Sequence, residues 1–316
     1  MIHSAFSGLK SVVLAGVASL SLLAPVQALA QTPATPSVAT PGTYAPAGSG
    51  AALWVVRDED STLYLFGTFH ALRSDVAWRS ERVDRAFASA DDYWFEIADL
   101  NDMSEAIPII QAKGVSPDRP LSSLLTPTEM ESLDKAARSV GMSSTQLNPL
   151  RPWMVSLNLA VATITQAGFE PANGGDQVLH ALAAATGKPI KGFETAGQQV
   201  SMLADMDEAV QLQVLRLSLK EFDKGTELLN QMVRSWASGD VEALDQLTSE
   251  ESRSAAPEMY EAIFTRRNQD WARQIQTLMA GSGTHFVAVG AGHLAGPDSL
   301  QVQLEKMGIT SERLTD

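Results

Sequence analysis

One local pattern occurs twice in this chain. Leu63-Tyr64-Leu65-Phe66-Gly67-Thr68-Phe69-His70 is an apolar, β-rich run closed by a glycine, with a histidine three residues later. It returns 223 residues on as His285-Phe286-Val287-Ala288-Val289-Gly290-Ala291-Gly292-His293. Each copy reads as a buried strand, a sharp turn at the glycine, and an imidazole just past the strand's C-terminal end. In open α/β sheets that edge is where ligands sit. If both strands join one sheet, His70 and His293 meet at one rim although most of the chain separates them.

The intervening sequence fits that arrangement. Residues 53–56 and 62–66 flank the polar segment 57–61 and predict a β-hairpin. Residues 81–90 read as a helix, and residues 93–97 as a strand that carries Glu96 near its end. Residues 101–170 and 196–280 are helical in pattern. Thr126-Pro127-Thr128-Glu129 marks one N-terminus and Pro152 another, and Asp176 is expected to cap a third helix. Residues 188–193 form a short strand, 297–307 a last helix, and 309–314 an edge strand. Strands near both ends must pair in space. The prediction is a single α/β domain over residues 51–316, with a small central mixed sheet carrying two strand-GxxH units and extensive helical insertions.

The first thirty residues have the layout of a secretory signal peptide: Lys10, an apolar stretch over 11–23, and Ala28-Leu29-Ala30 as the cleavage signal. Residues 31–50, rich in Pro, Ala, Thr, Gly and Ser, read as a flexible linker. The expected location is therefore periplasmic or secreted, with no stable membrane insertion after cleavage. The chain has no cysteine, so no disulfide supports it, which a core of this size tolerates. A net charge of −14 argues against nucleic acid as a partner.

The residues that carry chemistry are few. After removal of the leader only His70, His180, His285 and His293 remain. Two imidazoles with one carboxylate suit Mn, Fe, Co or Zn. Glu96 reaches the same edge if its strand runs parallel to the other two, as a ligand or as the base that deprotonates water. His285 starts its strand and is expected at the opposite edge, in a structural role. His180 falls on an apolar helix face and is also read as structural. The chain lacks His-Glu-x-x-His, Gly-x-Ser-x-Gly and a P-loop. Gly290-Ala291-Gly292 with Gly296 departs from a dinucleotide loop in spacing, and too little chain follows for a nucleotide-binding half.

Taken together, Tyr64 through His70, Phe95-Glu96, Arg151-Pro152-Trp153, Gly175-Asp176, Gly187 through Thr195, Arg267-Asn268 and Phe286 through Leu294 resemble the TraB/GumN family. That family is related to the Tiki proteins and to the erythromycin-esterase and ChaN-like group. Gly197-Gln198-Gln199 departs from the pattern, where an acidic residue or alanine is expected before the glutamine. The resemblance implies a metal site of His70, His293 and Glu96, and by analogy with the Tiki branch a divalent ion (Mn, Co or Zn) acting in hydrolysis of a peptide or other small acyl substrate. It also places Arg267 and Asn268 near the site. Arg267 is expected either to bind a carboxylate or oxyanion or to form an internal salt bridge to Asp176 or Glu194. The ChaN-like and polysaccharide-linked relatives imply an alternative, a non-catalytic haem- or polysaccharide-associated binding protein.

Overall fold

The structure, a computed structural model, describes residues 43–46, 49–248 and 250–315, without the side chains of 250–252. The expected signal peptide and most of the expected linker lie outside the described residues. Among the described residues there are eight strands: β1 Thr43–Tyr44, β2 Leu53–Arg57, β3 Ser61–Thr68, β4 Ala77–Arg79, β5 Asp92–Ile97, β6 Ile190–Glu194, β7 Gly283–Gly290 and β8 Ser311–Arg313. Six of them build one mixed sheet in the order β6-β5-β7-β3-β2-β8, and β1 pairs in parallel with β4 beside it. Thr43–Tyr44 thus makes a strand within the stretch expected to be linker.

The four strands β6, β5, β7 and β3 are mutually parallel, whereas β2 runs antiparallel to β3. β2 and β3 form the expected hairpin. β3 and β7, the two motif strands, are direct neighbours paired along their whole length, from Ser61↔Gly283 to Thr68↔Gly290. Strand pairing thus joins two stretches that are far apart in sequence, as the repeated pattern requires.

Alternation along the strands builds a core on each face. Leu63 and Leu65 of β3 join Val287 and Val289 of β7 on one side. Phe66 joins Tyr93, Phe95, Phe286 and Ala288 on the other. Leu63, Leu65 and Phe66 are fully buried, and each such side chain is worth about 1.5–3 kcal/mol when removed from water.

The helices include α1 Glu81–Ser89, α2 Ala106–Lys113, α3 Pro127–Ser139, α4 Pro152–Gln166, α5 Gly175–Thr186, α6 Ala196–Ala204, α7 Glu208–Glu221, α8 Gly225–Ala237, α9 Arg266–Met279 and α10 Leu300–Lys306. Thr126 and Glu129 form the expected capping box of α3. Helices α3, α4 and α7 share a separate core around Leu133, Val155, Leu159 and Leu215. Helix α9 packs on the sheet through Trp271, Ala272 and Ile275. Trp94, and two residues later Glu96, face that same side of β5. Among the described residues no helix is long and apolar enough to cross a membrane.

Candidate functional site

The four parallel strands end along one edge, and each delivers a polar residue there. In spatial order these are Glu194 from β6, Glu96 from β5, His293 just after β7, and His70 just after β3. All three residues predicted as ligands are almost wholly buried: His70 at 3%, Glu96 at 2% and His293 at 0% exposure.

The first glycine of the pattern does a different job from the one expected. β3 continues through Gly67 to Thr68, so the chain does not turn there. A Cβ on Gly67 would lie 2.9 Å from Ala291 Cα. The glycine lets the two motif segments approach each other closely. The second glycine, Gly290, ends β7 and donates its backbone N–H to Glu96 Oε1 at 2.7 Å. His293 then sits in a 3₁₀ turn over Ala291–Leu294.

Each histidine has a different partner behind it. His293 Nδ1 lies 2.7 Å from Asn268 Oδ1. The Asn268 amide donates through Nδ2 to the Asp298 carbonyl at 2.8 Å, so Oδ1 is the acceptor and His293 Nδ1 carries the proton. Its Nε2 is then a lone pair, and it accepts from Arg267 Nη1 at 2.9 Å. The ring packs against Trp271 and Phe264. Burial above all, then the Arg267 cation and His70, hold His293 well below the ordinary imidazole pKa. It is a neutral ring at neutral pH.

His70 Nδ1 lies 3.1 Å from Asp176 Oδ2. Neither ring nitrogen has a partner along its N–H direction, so the Asp176 contact is an ion pair more than a linear hydrogen bond. Burial disfavours the charged ring and Arg267 opposes it as well. The charge and contact of Asp176, aided by Glu96, outweigh both, and the His70 pKa is raised. Asp176 is not the cap of its helix. The N-cap of α5 is Gly174, and Asp176 lies inside the first turn. Gly175 N–H donates to Phe69 O at 2.8 Å, and a Cβ on Gly174 would strike the His70 carbonyl. The glycine pair seats the helix against the His70 loop, and this turns Asp176 toward the imidazole.

Arg267 links the remaining groups. Nε donates to Glu194, at 3.1 Å to each oxygen. Nη1 donates to the Ile263 carbonyl at 3.2 Å and to His293. Nη2 donates to Glu96 Oε2 at 2.7 Å and to Glu194 Oε1. All five N–H donors of the guanidinium are engaged, and its Cζ lies 4.5 Å from the Trp271 ring centroid. Burial disfavours its charge, but Glu194 and Glu96 more than compensate, and its pKa is raised. Burial pushes the Glu194 carboxyl up against the pull of Arg267. A five-residue π-turn, Glu261–Thr265, leads into α9; such turns recur at functional sites. Here it supplies the Ile263 carbonyl and Phe264.

Two members of the site escaped the sequence reading as site residues. The sequence marks Glu194 only as a salt-bridge partner for Arg267, and that pairing is present; the second carboxylate on Arg267 is Glu96, not the expected alternative Asp176. Gln199 enters the sequence pattern only through the residue before it. It is fully buried and donates to Glu96 Oε2 at 2.9 Å and to Glu194 Oε1 at 2.8 Å. The capping box of Thr195 and Gln198 starts the helix that carries it. The other two histidines lie elsewhere. His285, at the opposite edge, pairs through Nδ1 with Asp92 Oδ1 at 2.6 Å. His180 Nε2 lies 2.7 Å from the Ala98 carbonyl, and its ring packs on Phe95.

The donor set fits a divalent ion in kind. Each histidine has Nδ1 beside an acceptor, Asp176 or Asn268. His70 Nε2 is buried with no hydrogen-bond partner. Glu96 Oε1 lies 3.9 Å from His293 Nε2. One bond stands in the way: Arg267 Nη1 occupies the lone pair of His293. As the side chains stand, no three or more His, Asp or Glu among the described residues are gathered closely enough to hold a metal.

The TraB/PrgY/gumN family model matches residues 52–313. An uncharacterized protein of Treponema pallidum is 22% identical over 260 residues, covering 78% of each chain. The uncharacterized protein YbaP of Escherichia coli is 23% identical over 241 residues, 76% of this chain and 87% of that one, and YbaP of Shigella flexneri matches equally. No solved structure matches. With the family model spanning both Gly-x-x-His units and every strand of the six-stranded sheet, this chain belongs to the TraB/PrgY/gumN family.

Proposed function

We propose that this protein is an exported hydrolase of a peptide or other acyl bond that works with a divalent metal ion, Mn, Co or Zn. The observation that carries the reading is the paired orientation of the imidazoles. Both Nδ1 atoms lie beside protein acceptors, His293 Nε2 lies 3.9 Å from Glu96 Oε1, and His70 Nε2 is buried without a hydrogen-bond partner. Metal-binding histidines are oriented in this way by outer-sphere carboxylates and amides. His70 Nε2 and His293 Nε2 would hold the ion, which when bound would polarise the acyl oxygen and acidify water, with Glu96 as the base beside it.

The chain's own groups supply the rest. Gly290 N–H, Arg267 and Gln199 fix the Glu96 carboxylate in one orientation. From there it takes the proton of the attacking water and returns it to the leaving group. Asp176 keeps His70 oriented and Asn268 fixes the tautomer of His293. Burial excludes bulk water and strengthens each of these interactions. The haem-binding alternative is less well supported, because axial ligation needs an Nε2 open to a macrocycle, and both histidines are buried, with Trp271 and Phe264 packed against His293.

The test is a preparation of the mature chain made without chelators, analysed for bound metal and assayed on peptide and ester panels with added Mn, Co or Zn. Metal-stimulated hydrolysis that His70→Ala abolishes is expected. Absence of bound metal, no stimulation, and indifference to His70→Ala together would overturn the reading.

A further inference from the structure

We infer that Arg267 is a built-in competitor for the metal position, and that Glu194 is the carboxylate that retains it when the ion enters. The inference rests on the metal reading above. The guanidinium already occupies the atom that an ion would need: Arg267 Nη1 donates to His293 Nε2 at 2.9 Å. It is the resident cation of the cluster.

Its bonds divide into two groups. The Nε and Nη2 edge is clamped on Glu194, a two-point geometry in which a guanidinium binds a carboxylate best. Nη1 reaches the other way, to His293 and to the Ile263 carbonyl of the π-turn. When His293 turns its lone pair to an ion, Arg267 loses that one bond. It keeps the Glu194 clamp, the Ile263 carbonyl and the stack on Trp271. No proton has to move on His293, because Asn268 already fixes the tautomer that leaves Nε2 unprotonated.

The charge balance agrees. Glu96, Glu194 and Asp176 surround one guanidinium and two histidines. Ligation requires His70 to release the proton that Asp176 favours; with both imidazoles then neutral, three carboxylates against one guanidinium leave an excess that a dication neutralises. Without the ion, Arg267 occupies His293 and Glu96 and prevents the two from being left as unpaired buried groups. The empty site is therefore stable, and the ion binds reversibly in competition with a charge-assisted hydrogen bond.

The test is calorimetric titration of the chelator-stripped full chain with Mn²⁺, Co²⁺ and Zn²⁺. Arg267→Met removes the competitor and is expected to bind one ion per chain about tenfold more tightly than the unsubstituted protein, the worth of one charge-assisted hydrogen bond. Because Arg267→Met leaves Glu96 and Glu194 facing each other, the double variant Arg267→Met with Glu194→Gln is measured in parallel. It removes one charge of each sign and is expected to show the same direction. Equal or weaker binding by the folded variants would overturn the inference and leave the metal reading intact. No binding by any form would overturn both.

Discussion

His70 and His293 occupy the same position of the same motif on neighbouring strands, yet they are opposite in electrostatic character. His70 has a carboxylate behind it and its pKa is raised; His293 has an amide behind it and a guanidinium in front, and its pKa is lowered. Both are buried, so burial alone does not separate them. The partner on Nδ1 does. The motif fixes where an imidazole stands, and residues from distant helices, Asp176 on α5 and Asn268 on α9, decide what that imidazole does. Sites that push like groups apart in this way are candidates for chemistry.

Glu96 is the group that both histidines share, so its loss should have the largest effect. Glu96→Gln keeps the shape and removes the base, at the cost of one acceptor, because both carboxylate oxygens accept from N–H donors. A fall in metal-stimulated hydrolysis of about 100-fold or more is expected, read as kcat/KM with binding of the ion measured separately. Asp176→Asn gives His70 a partner like that of His293. It should lower the His70 pKa and weaken metal binding by about 10- to 100-fold, which calorimetry would show. An unchanged affinity would mean that the two partners are interchangeable.

The opposite edge of the sheet supplies the control. There His285 and Asp92 form a pair that Lys191 closes from the other side, with Lys191 Nζ 3.0 Å from Asp92 Oδ2. The residue types resemble those of His70 and Asp176, but no second histidine converges on them. His285→Gln is expected to cost about 1–3 kcal/mol of stability in urea unfolding and to leave metal binding unchanged.

The smallest effect is on stability as a function of pH in the metal-free protein. His293, depressed in the folded state, contributes stability that is present above its unfolded value of 6.5 and is lost as pH falls below it. His70, raised in the folded state, contributes stability that is present below 6.5 and is lost as pH rises through its folded pKa. Urea unfolding across pH should therefore show these two contributions declining on opposite sides of that value, and Asp176→Asn should remove the alkaline decline.

Much of this site was legible because parallel strands bring their C-terminal ends to one edge. Two strand-Gly-x-x-His units and an acid near the end of a third strand suffice to predict that His70, His293 and Glu96 stand at one edge of the sheet. The predicted role of Gly67 was wrong for a local reason: a glycine at a strand end signals either a turn or a close approach, and only the neighbouring segment, here Ala291, distinguishes them. Asp176 satisfies the pattern of an N-cap, but the Gly174-Gly175 contact with the His70 loop swings it to a tertiary partner. Glu194 and Gln199 carry no local signal of chemistry. Their role exists only because β6 lies beside β5 and α6 begins where β6 ends. Arg267 was expected either near the chemistry or in a salt bridge; because the two carboxylates adjoin, one guanidinium does both.

Long-range ¹H–¹⁵N spectra of the imidazoles in the metal-free, ¹⁵N-labelled chain test the divergence of the two histidines most directly. His293 should appear as a neutral ring protonated on Nδ1 and should stay neutral well below pH 6.5, while His70 keeps its proton above that pH. Two rings titrating together near the value of free imidazole, or a His293 protonated on Nε2, would contradict the account.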